Sequence, residues 1–503
     1  MDKAVISRKI KNCQQETFAA CFLERALMHP DKSALEWKDN KTGALASVSY
    51  GELADSIMGL GQWLYGAGLR GSCIALVGDN SYEWILAFLT VLCSDMRVVV
   101  LDPGLSPEEL ARRIEFADAR AVFAADNIDV TNVTDASVYR LSELEGMLEG
   151  NIELDESNLD TWLDTPITEK QVVLLMFTSG TGGHMKLAML RQEGLTLERW
   201  VWQGLRMQES KTLITLPLFH IAGNCNLRGA LMVGTTAYIS AGLRNLLEEY
   251  AYVKPRVGFM VPAQAMLLYG VLVGKDKETG RALLGGNFIA IRSTGAPLPD
   301  KVRQLFEDYD IRVTSDYGMT ETSGAVSVSQ MRDEGIYSKL GSVGHILDAI
   351  TVQLDNPDEN GRGEVIVSGQ CVFEGYYKNE EETGAILQDG WLKTGDIGYI
   401  DEEGFLFLVG RKKNIIILPG GENIIPEELE NMIFGLPGVT ECRVYERDNR
   451  LCVSIYSKDG ADETTIKKEV WELNGQLPSY KRIQAIYLES EPLPRTSTGK
   501  ILR

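Results

Sequence analysis

At 503 residues the chain exceeds the ~250–300 at which a single hydrophobic core stops growing, so more than one domain is expected. With 71 acidic against 50 basic side chains it carries a formal charge of −21, which argues against nonspecific binding to nucleic acid or to an anionic membrane; an anionic substrate needs a locally basic site. The longest apolar stretch, around "WILAFLTVLC", is shorter than the ~20 residues of a spanning helix, and the N-terminus lacks a signal-peptide core.

Eight cysteines (Cys13, Cys21, Cys73, Cys93, Cys225, Cys371, Cys442, Cys452) form no C-x-x-C pair, so reduced thiols in a cytoplasm are expected. The four histidines (His29, His184, His220, His345) are not spaced as metal ligands with one another or with cysteines, which argues against a zinc site.

From residue 72 strand and helix patterns alternate: "SCIALVG", "SYEWILAFLTVLCS", "RVVVLD", "SPEELARRIEFADA", "RAVFAAD". In the fourth, Ser106 suits an N-cap, Pro107 the first helical position and Glu109 the third. The alternation predicts β-α-β units and a parallel sheet. An acid-rich connection over roughly 143–170 leads to "VVLLMFTSGTGG". The pattern resumes with "TLITLPLFH", a helical "NCNLRGALMVG", "VGFMVP", "FIAIRSTGAP", a helical "DKVRQLFEDYD" and "IRVTSDYGMTE". Four polar clusters, "FTSG", "PLFH", "STGAP" and "DYGMTE", follow the carboxyl ends of apolar strands and are expected on one ligand-binding sheet edge.

Beyond residue 340 the texture is β-rich, with tight turns expected at Asn360-Gly361 and Glu403-Gly404, in a small barrel or sheet. After "GRKKN" come a helix "PEELENMIF", a hairpin "CRVYERDNRLCVSIYS", a helix "TTIKKEVWELNG" and a strand "RIQAIYLES". The expected domains are 1–412 and 413–503.

The stretch "FTSGTGGHMK", Phe177 to Lys186, reads either as a phosphate cradle or as a plain turn between a strand and a helix. It is neither a G-x-x-x-x-G-K-[ST] nor a G-x-G-x-x-G pattern.

Together with "DYGMTE", "KTGD", "GRKKN", "GGENIIPEELE" and "LPRTSTGK", it resembles the adenylate-forming superfamily in order and approximate spacing. These are the acyl-CoA synthetases, the adenylation domains of peptide synthetases and the luciferases. The likeness covers nearly the whole chain, and the segment after "GRKKN" is most similar to bacterial fatty acyl-CoA ligases.

The resemblance implies an α/β fold: a large N-terminal domain of two α/β lobes plus a small β-barrel, and a small mobile α+β C-terminal domain. It implies a ligase that uses ATP and Mg2+ to turn a carboxylic acid into acyl-AMP and pyrophosphate, then passes the acyl group to CoA. A carrier-protein ligase and a non-catalytic nucleotide-binding relative are the alternatives. A G-x-S-x-G elbow is absent, which disfavours a serine hydrolase. A monomer or a homodimer is expected.

Carried over by resemblance, Thr178, Ser179, Gly180, Thr181, Gly182, Gly183 and Lys186 hold the phosphates, whose charge calls for fixed N–H donors and a cation. Gly295, Ala296, Pro297, Asp316, Tyr317 and Gly318 belong to the nucleotide pocket, with Tyr317 stacking on adenine. Thr320 meets phosphate, and Glu321 is the Mg2+ ligand, an oxygen donor suited to a hard cation.

Asp396 takes the ribose hydroxyls, Arg411 contacts ribose and phosphate, Lys413 is the hinge, and Gly420 and Gly421 line the thiol tunnel. Lys500 lies between the substrate carboxylate and the α-phosphate. Gly182, Met185 and Leu187 depart from the family's usual threonine, proline and glycine while leaving most donors in place.

His220 stands where relatives that activate amino acids carry an aspartate, so the resemblance implies a fatty or aryl acid, the aliphatic chain being favoured by the segment around "GRKKN", with a buried core histidine as the rival reading of His220. The acyl pocket is expected from "HIAGNCNLRG", "VGFMVPAQAM", "STGAP" and the turn after Glu321. Phe259, Met260 and Met266 are lining candidates, and Arg228 meets either a polar substrate tail or solvent.

Overall fold

The computed structural model describes residues 2–39, 42–148, 156–178, 185–207, 210–295, 298–332, 335–418, 422–457, 462–495 and 501–502. Contacts group them into two compact units: Met1–Pro297 with Leu305–Thr351 and Ser368–Leu392, and Leu298–Gln304 with Val352–Val367 and Lys393–Arg503. The second unit therefore takes in the β-rich residues 352–367 and 393–412 as well as everything beyond the expected 412/413 boundary.

The first unit is built on a seven-stranded sheet ordered Gly375–Tyr376, Lys186–Arg191, Val172–Thr178, Arg97–Leu101, Cys73–Val77, Ala119–Ala124, Ser137–Arg140. From Val172–Thr178 onward the strands are parallel. Every residue of Cys73–Val77 is buried, as an apolar run in a sheet covered on both faces requires. The expected helix starts there at Pro107, with Ser106 Oγ accepting from the Glu109 amide at 3.3 Å.

The acid-rich connection contains a helix, Glu156–Asp164, that alternation of apolar residues did not announce. Only Trp162 and Leu163 of it are buried. Trp162 donates to Ser94 Oγ at 2.8 Å, and the buried Lys9 ammonium caps the segment by donating to the carbonyls of Trp162 (2.6 Å) and Thr165 (3.0 Å).

The polar clusters do end strands, but not of a single sheet. Thr178 ends a strand of the seven-stranded sheet, "PLFH" follows Lys211–Ile214 of a four-stranded sheet, and Gly295 and Asp316 follow Ala290–Ser293 and Arg312–Ser315 of a parallel three-stranded sheet begun by Val257–Met260. The correction has a simple cause: strands of four residues give the same alternation whichever sheet they join.

In the second unit, strands Trp391–Ile400 and Leu406–Arg411 pair antiparallel across the expected turn at Gly404. The C-terminal part has helices Pro426–Phe434 and Glu463–Gln476 and a sheet ordered Glu441–Arg447, Arg450–Tyr456, Ala485–Glu489, as expected. Leu429, Ile433, Val453, Ile466 and Val470 share its core. Among the described residues no helix is long and apolar enough to cross a membrane, and all eight cysteines are unpaired.

Candidate active site

The glycine-rich stretch is a connection between two antiparallel strands, with Thr178 paired in register to Lys186, not a strand-to-helix turn. Ser179, Gly180, Thr181, Gly182 and Gly183 lie outside the described residues, but their two anchors are in place. Lys186 Nζ is 2.7 Å from Glu382 Oε2 and sits over the Tyr376 ring, 5.4 Å from its centroid.

Tyr376 connects this lysine to Glu321. Its hydroxyl donates to Glu321 Oε1 at 2.6 Å and is also within hydrogen-bonding reach of Thr178. Burial and the neighbouring carboxylate hold the phenol well above its ordinary pKa, so it stays a proton donor.

Glu321 is only 6% exposed and belongs to a short 3-10 turn, Thr320–Thr322, that follows the strand Tyr317–Met319. A hard divalent cation that also binds phosphate oxygens needs only one or two carboxylates. Glu321 beside the Thr178 hydroxyl and Lys186 fits such a group; no set of three His, Cys, Asp or Glu able to hold a metal occurs among the described residues. The fit is thus to a metal shared with a nucleotide.

The residues expected on the adenine side follow in chain order. Gly295 has φ +89°, a left-handed conformation natural to glycine, while Ala296 and Pro297 lie outside the described residues. Tyr317 is buried. A Cβ on Gly318 would meet the Gly324 carbonyl oxygen at 2.0 Å, so only glycine lets these strands approach here. Asp316 Oδ2 is ion-paired with Arg292 Nη2, and desolvation pushes its carboxyl above the ordinary value.

His220 caps the helix Ile221–Val233 through its backbone, with no side-chain capping bond. Its ring lies 4.4 Å from that of Phe219, centroid to centroid, and burial lowers its pKa, so the imidazole is neutral at pH 7. Asn80 braces the approach to it, donating to the Leu216 carbonyl and accepting from the Leu218 amide, both at 2.9 Å.

Arg228 does not reach solvent: it is fully buried, and its donors are taken by Asn224 Oδ1 (2.6 Å), the carbonyls of Leu195 and Ser323, and the Cys225 sulfur. Met260 is fully buried, Met266 half-buried, and Phe259 stacks on Trp202 at 4.8 Å.

In the second unit Asp396 and Arg411 are cross-strand neighbours, Arg411 Nε lying 2.6 Å from Asp396 Oδ1. Arg411 also donates to the Thr394 carbonyl at 3.3 Å, and the Thr394 hydroxyl is tied to the Val365 carbonyl at 2.7 Å. Lys413 is exposed in a 3-10 turn, while its neighbour Lys412 pairs with Glu364 at 2.6 Å. Gly420, Gly421 and Lys500 lie outside the described residues.

Sequence reasoning missed Tyr376, Glu382, Asn80, Arg292 and Glu198, whose Oε1 accepts from the Ala325 amide at 3.3 Å. Arg292 lies in a strand that the alternation announced, but nothing marked its side chain, and the others lie in stretches that no motif singled out.

An α/β scaffold with nucleotide-suited groups at its strand ends, joined to a smaller α+β unit, defines the adenylate-forming class of ligases. Residues 22–377 match the family described as AMP-binding enzyme. The chain belongs to that family and is an AMP-forming ligase.

Among curated relatives, the 2-succinylbenzoate–CoA ligase of Oceanobacillus iheyensis is 27% identical over 97% of this chain and 98% of its own. The long-chain-fatty-acid–CoA ligase FadD15 of Mycobacterium tuberculosis is 27% identical over 80% of this chain and 76% of its own. Among solved structures, the o-succinylbenzoate CoA synthetase of Bacillus subtilis in complex with ATP and magnesium superposes with a TM-score of 0.78, at 25% identity over 96% of this chain and 98% of that one.

Proposed function

We propose that this chain activates a carboxylic acid and transfers it to the thiol of CoA. A carboxylate oxygen attacks the α-phosphorus of ATP, the bond to the β-phosphate oxygen breaks, and pyrophosphate leaves. The thiol sulfur then attacks the acyl carbonyl, the carbonyl carbon–oxygen bond to AMP breaks, and the thiol proton passes to solvent.

The observation that supports this reading best is the buried Glu321 carboxylate held by Tyr376 at 2.6 Å beside Lys186. A magnesium ion there would neutralise phosphate charge as it builds. Thr178, Lys186 and the amides of 179–183 would orient the phosphates. Tyr317, Gly318 and Gly295 would border the base, and Asp396 and Arg411 would hold the ribose. Lys413 would be the pivot that exchanges Lys500 for the Gly420-Gly421 turn between the two steps. The unpaired cysteines support a reducing cytoplasm as its setting.

For the acid, we favour a compact aryl or polar-substituted molecule over a long aliphatic chain. Relatives spanning the full chain include 2-succinylbenzoate–CoA ligases, and buried arginines interrupt the expected apolar lining. Incubation with ATP, Mg2+, acid and either CoA or a phosphopantetheinylated carrier protein tests the assignment. An acyl-CoA product with stoichiometric AMP supports it; acylation of the carrier alone overturns the choice of acceptor.

Two smaller results are expected. Tyr376→Phe deletes a donor to a buried carboxylate, a bond worth about 1.5–3 kcal/mol. The ATP dissociation constant, measured calorimetrically at several Mg2+ concentrations, should weaken about tenfold or more at low Mg2+ and recover as Mg2+ rises. An equal loss at all Mg2+ concentrations contradicts the role. Because burial keeps His220 neutral, acid activation should stay level from pH 8 down to about 6.5, its ordinary pKa. A fall with a midpoint above that value, removed by His220→Asn, contradicts it.

A further inference from the structure

Arg292, in the strand Ala290–Ser293, is 3% exposed and was not singled out by any motif. Its guanidinium lies 5.0 Å from the Phe259 ring centroid, and Phe259 in turn stacks on Trp202 of the helix Leu197–Gly204. Among the described residues only Nη2 is engaged, by Asp316; Nε and Nη1 are buried without a hydrogen-bond partner, as are the adjacent Ser293 hydroxyl and Asp316 Oδ1. Three N–H bonds of a charged group therefore point at no acceptor in a desolvated place, an arrangement that is costly unless something else supplies oxygen.

The contrast with Arg228 is informative, because that buried arginine has its fork occupied by Asn224, Leu195, Ser323 and Cys225. Arg292 lies close enough to the Cys225 thiol to act on it electrostatically, as do Glu198 and Arg228. Arg292, three residues before Gly295 in the chain, is thus in the neighbourhood of the helix Ile221–Val233 that carries Cys225. The four charges gathered here, Arg292, Arg228, Glu198 and Asp316, balance. Three N–H donors on Arg292 stand against one open acceptor, Asp316 Oδ1, so the cluster is short of hydrogen-bond acceptors rather than of net charge.

We propose that Arg292, aided by Ser293, is a specificity-determining residue that receives a second oxygen acceptor on the acid, a carbonyl or carboxylate at the end remote from the reacting carboxylate. This rests on the ligase reading above. A site built to donate hydrogen bonds rejects an analogue that lacks the acceptor far more strongly than an apolar pocket rejects a missing methylene.

The test is acid-dependent ATP–pyrophosphate exchange with matched acids: phenylbutanoic, benzoylpropanoic and succinylbenzoic acid, and octanoic against octanedioic acid. The wild-type protein should prefer an oxygen-bearing member over its plain partner by about a hundredfold in kcat/KM. The keto and dicarboxylic arms distinguish the two acceptors. Arg292→Met should lose the preference through a higher KM for the oxygen-bearing acid, and Arg292→Gln, which keeps an amide donor, should retain part of it.

Equal exchange with both members of each pair in the wild type overturns the inference while leaving the ligase reading intact, and needs no variant to fold. An equal fall for both members in a folded Arg292→Met assigns the pair with Asp316 a structural role and also overturns it. Exchange with no acid, in protein that binds ATP, overturns the ligase reading and the inference with it.

Discussion

Lys500→Ala slows formation of the acyl-adenylate by roughly a hundred- to a thousandfold, the cost of losing one preorganised group aimed at developing charge. The adenylation step brings a carboxylate against the α-phosphate of a polyanion, and like charges ~4 Å apart at an effective dielectric of ~20 repel by about 4 kcal/mol. A single ammonium between them offsets that repulsion and stabilises the charge that grows on the phosphoryl oxygens. The assignment comes from the place of Lys500 in "LPRTSTGK".

The thiol step has no such meeting of anions. Lys500→Ala should therefore convert synthetic acyl-AMP and CoA to thioester at close to the wild-type rate in single-turnover experiments. Loss of both steps to the same degree contradicts the role, and with it the idea that the C-terminal unit presents different surfaces to the two reactions.

Asp396→Asn raises the KM for ATP by about a hundredfold. Asp396 is 5% exposed and fixed by the Arg411 pair at 2.6 Å, and in the proposed reading its carboxylate accepts from the two ribose hydroxyls. Charge-assisted bonds of that kind are worth about 1.5–3 kcal/mol each, and the amide replaces one acceptor oxygen by a donor. Deoxy-ATP supplies the control. The wild-type protein should discriminate against nucleotides lacking a ribose hydroxyl, and Asp396→Asn should discriminate much less, because the two changes remove the same interaction. Undiminished discrimination in the variant places the ribose elsewhere.

Much of this protein was legible in its sequence. The β-α-β alternation from Cys73 to Ala124 and the Ser106 cap appear where spacing and capping chemistry put them, because local preference and tertiary burial agree there. Asp396 and Arg411, separated along the chain, pair across neighbouring strands, so the resemblance that named both also brought together two groups that touch.

What the sequence hid depends on tertiary placement. The glycine-rich stretch joins two antiparallel strands, since Lys186–Arg191, four apolar residues between two charged ones, fits a strand as well as a helix start. Tyr376 becomes part of the phosphate side only because Gly375–Tyr376 adds to the edge beside Lys186–Arg191. Arg228 was expected to meet a polar substrate tail or solvent and Arg292 carried no expectation; the fold buries both, Arg292 over the Phe259 ring.

The central claim is that the acid's own oxygen attacks the α-phosphorus. It is tested most directly with an active acid labelled with oxygen-18 in its reacting carboxylate, turned over with ATP, Mg2+ and CoA, followed by mass spectrometry of the nucleotide product. The account predicts AMP carrying one labelled oxygen, in step with the thioester formed; unlabelled AMP, or ADP with label in inorganic phosphate, would contradict it.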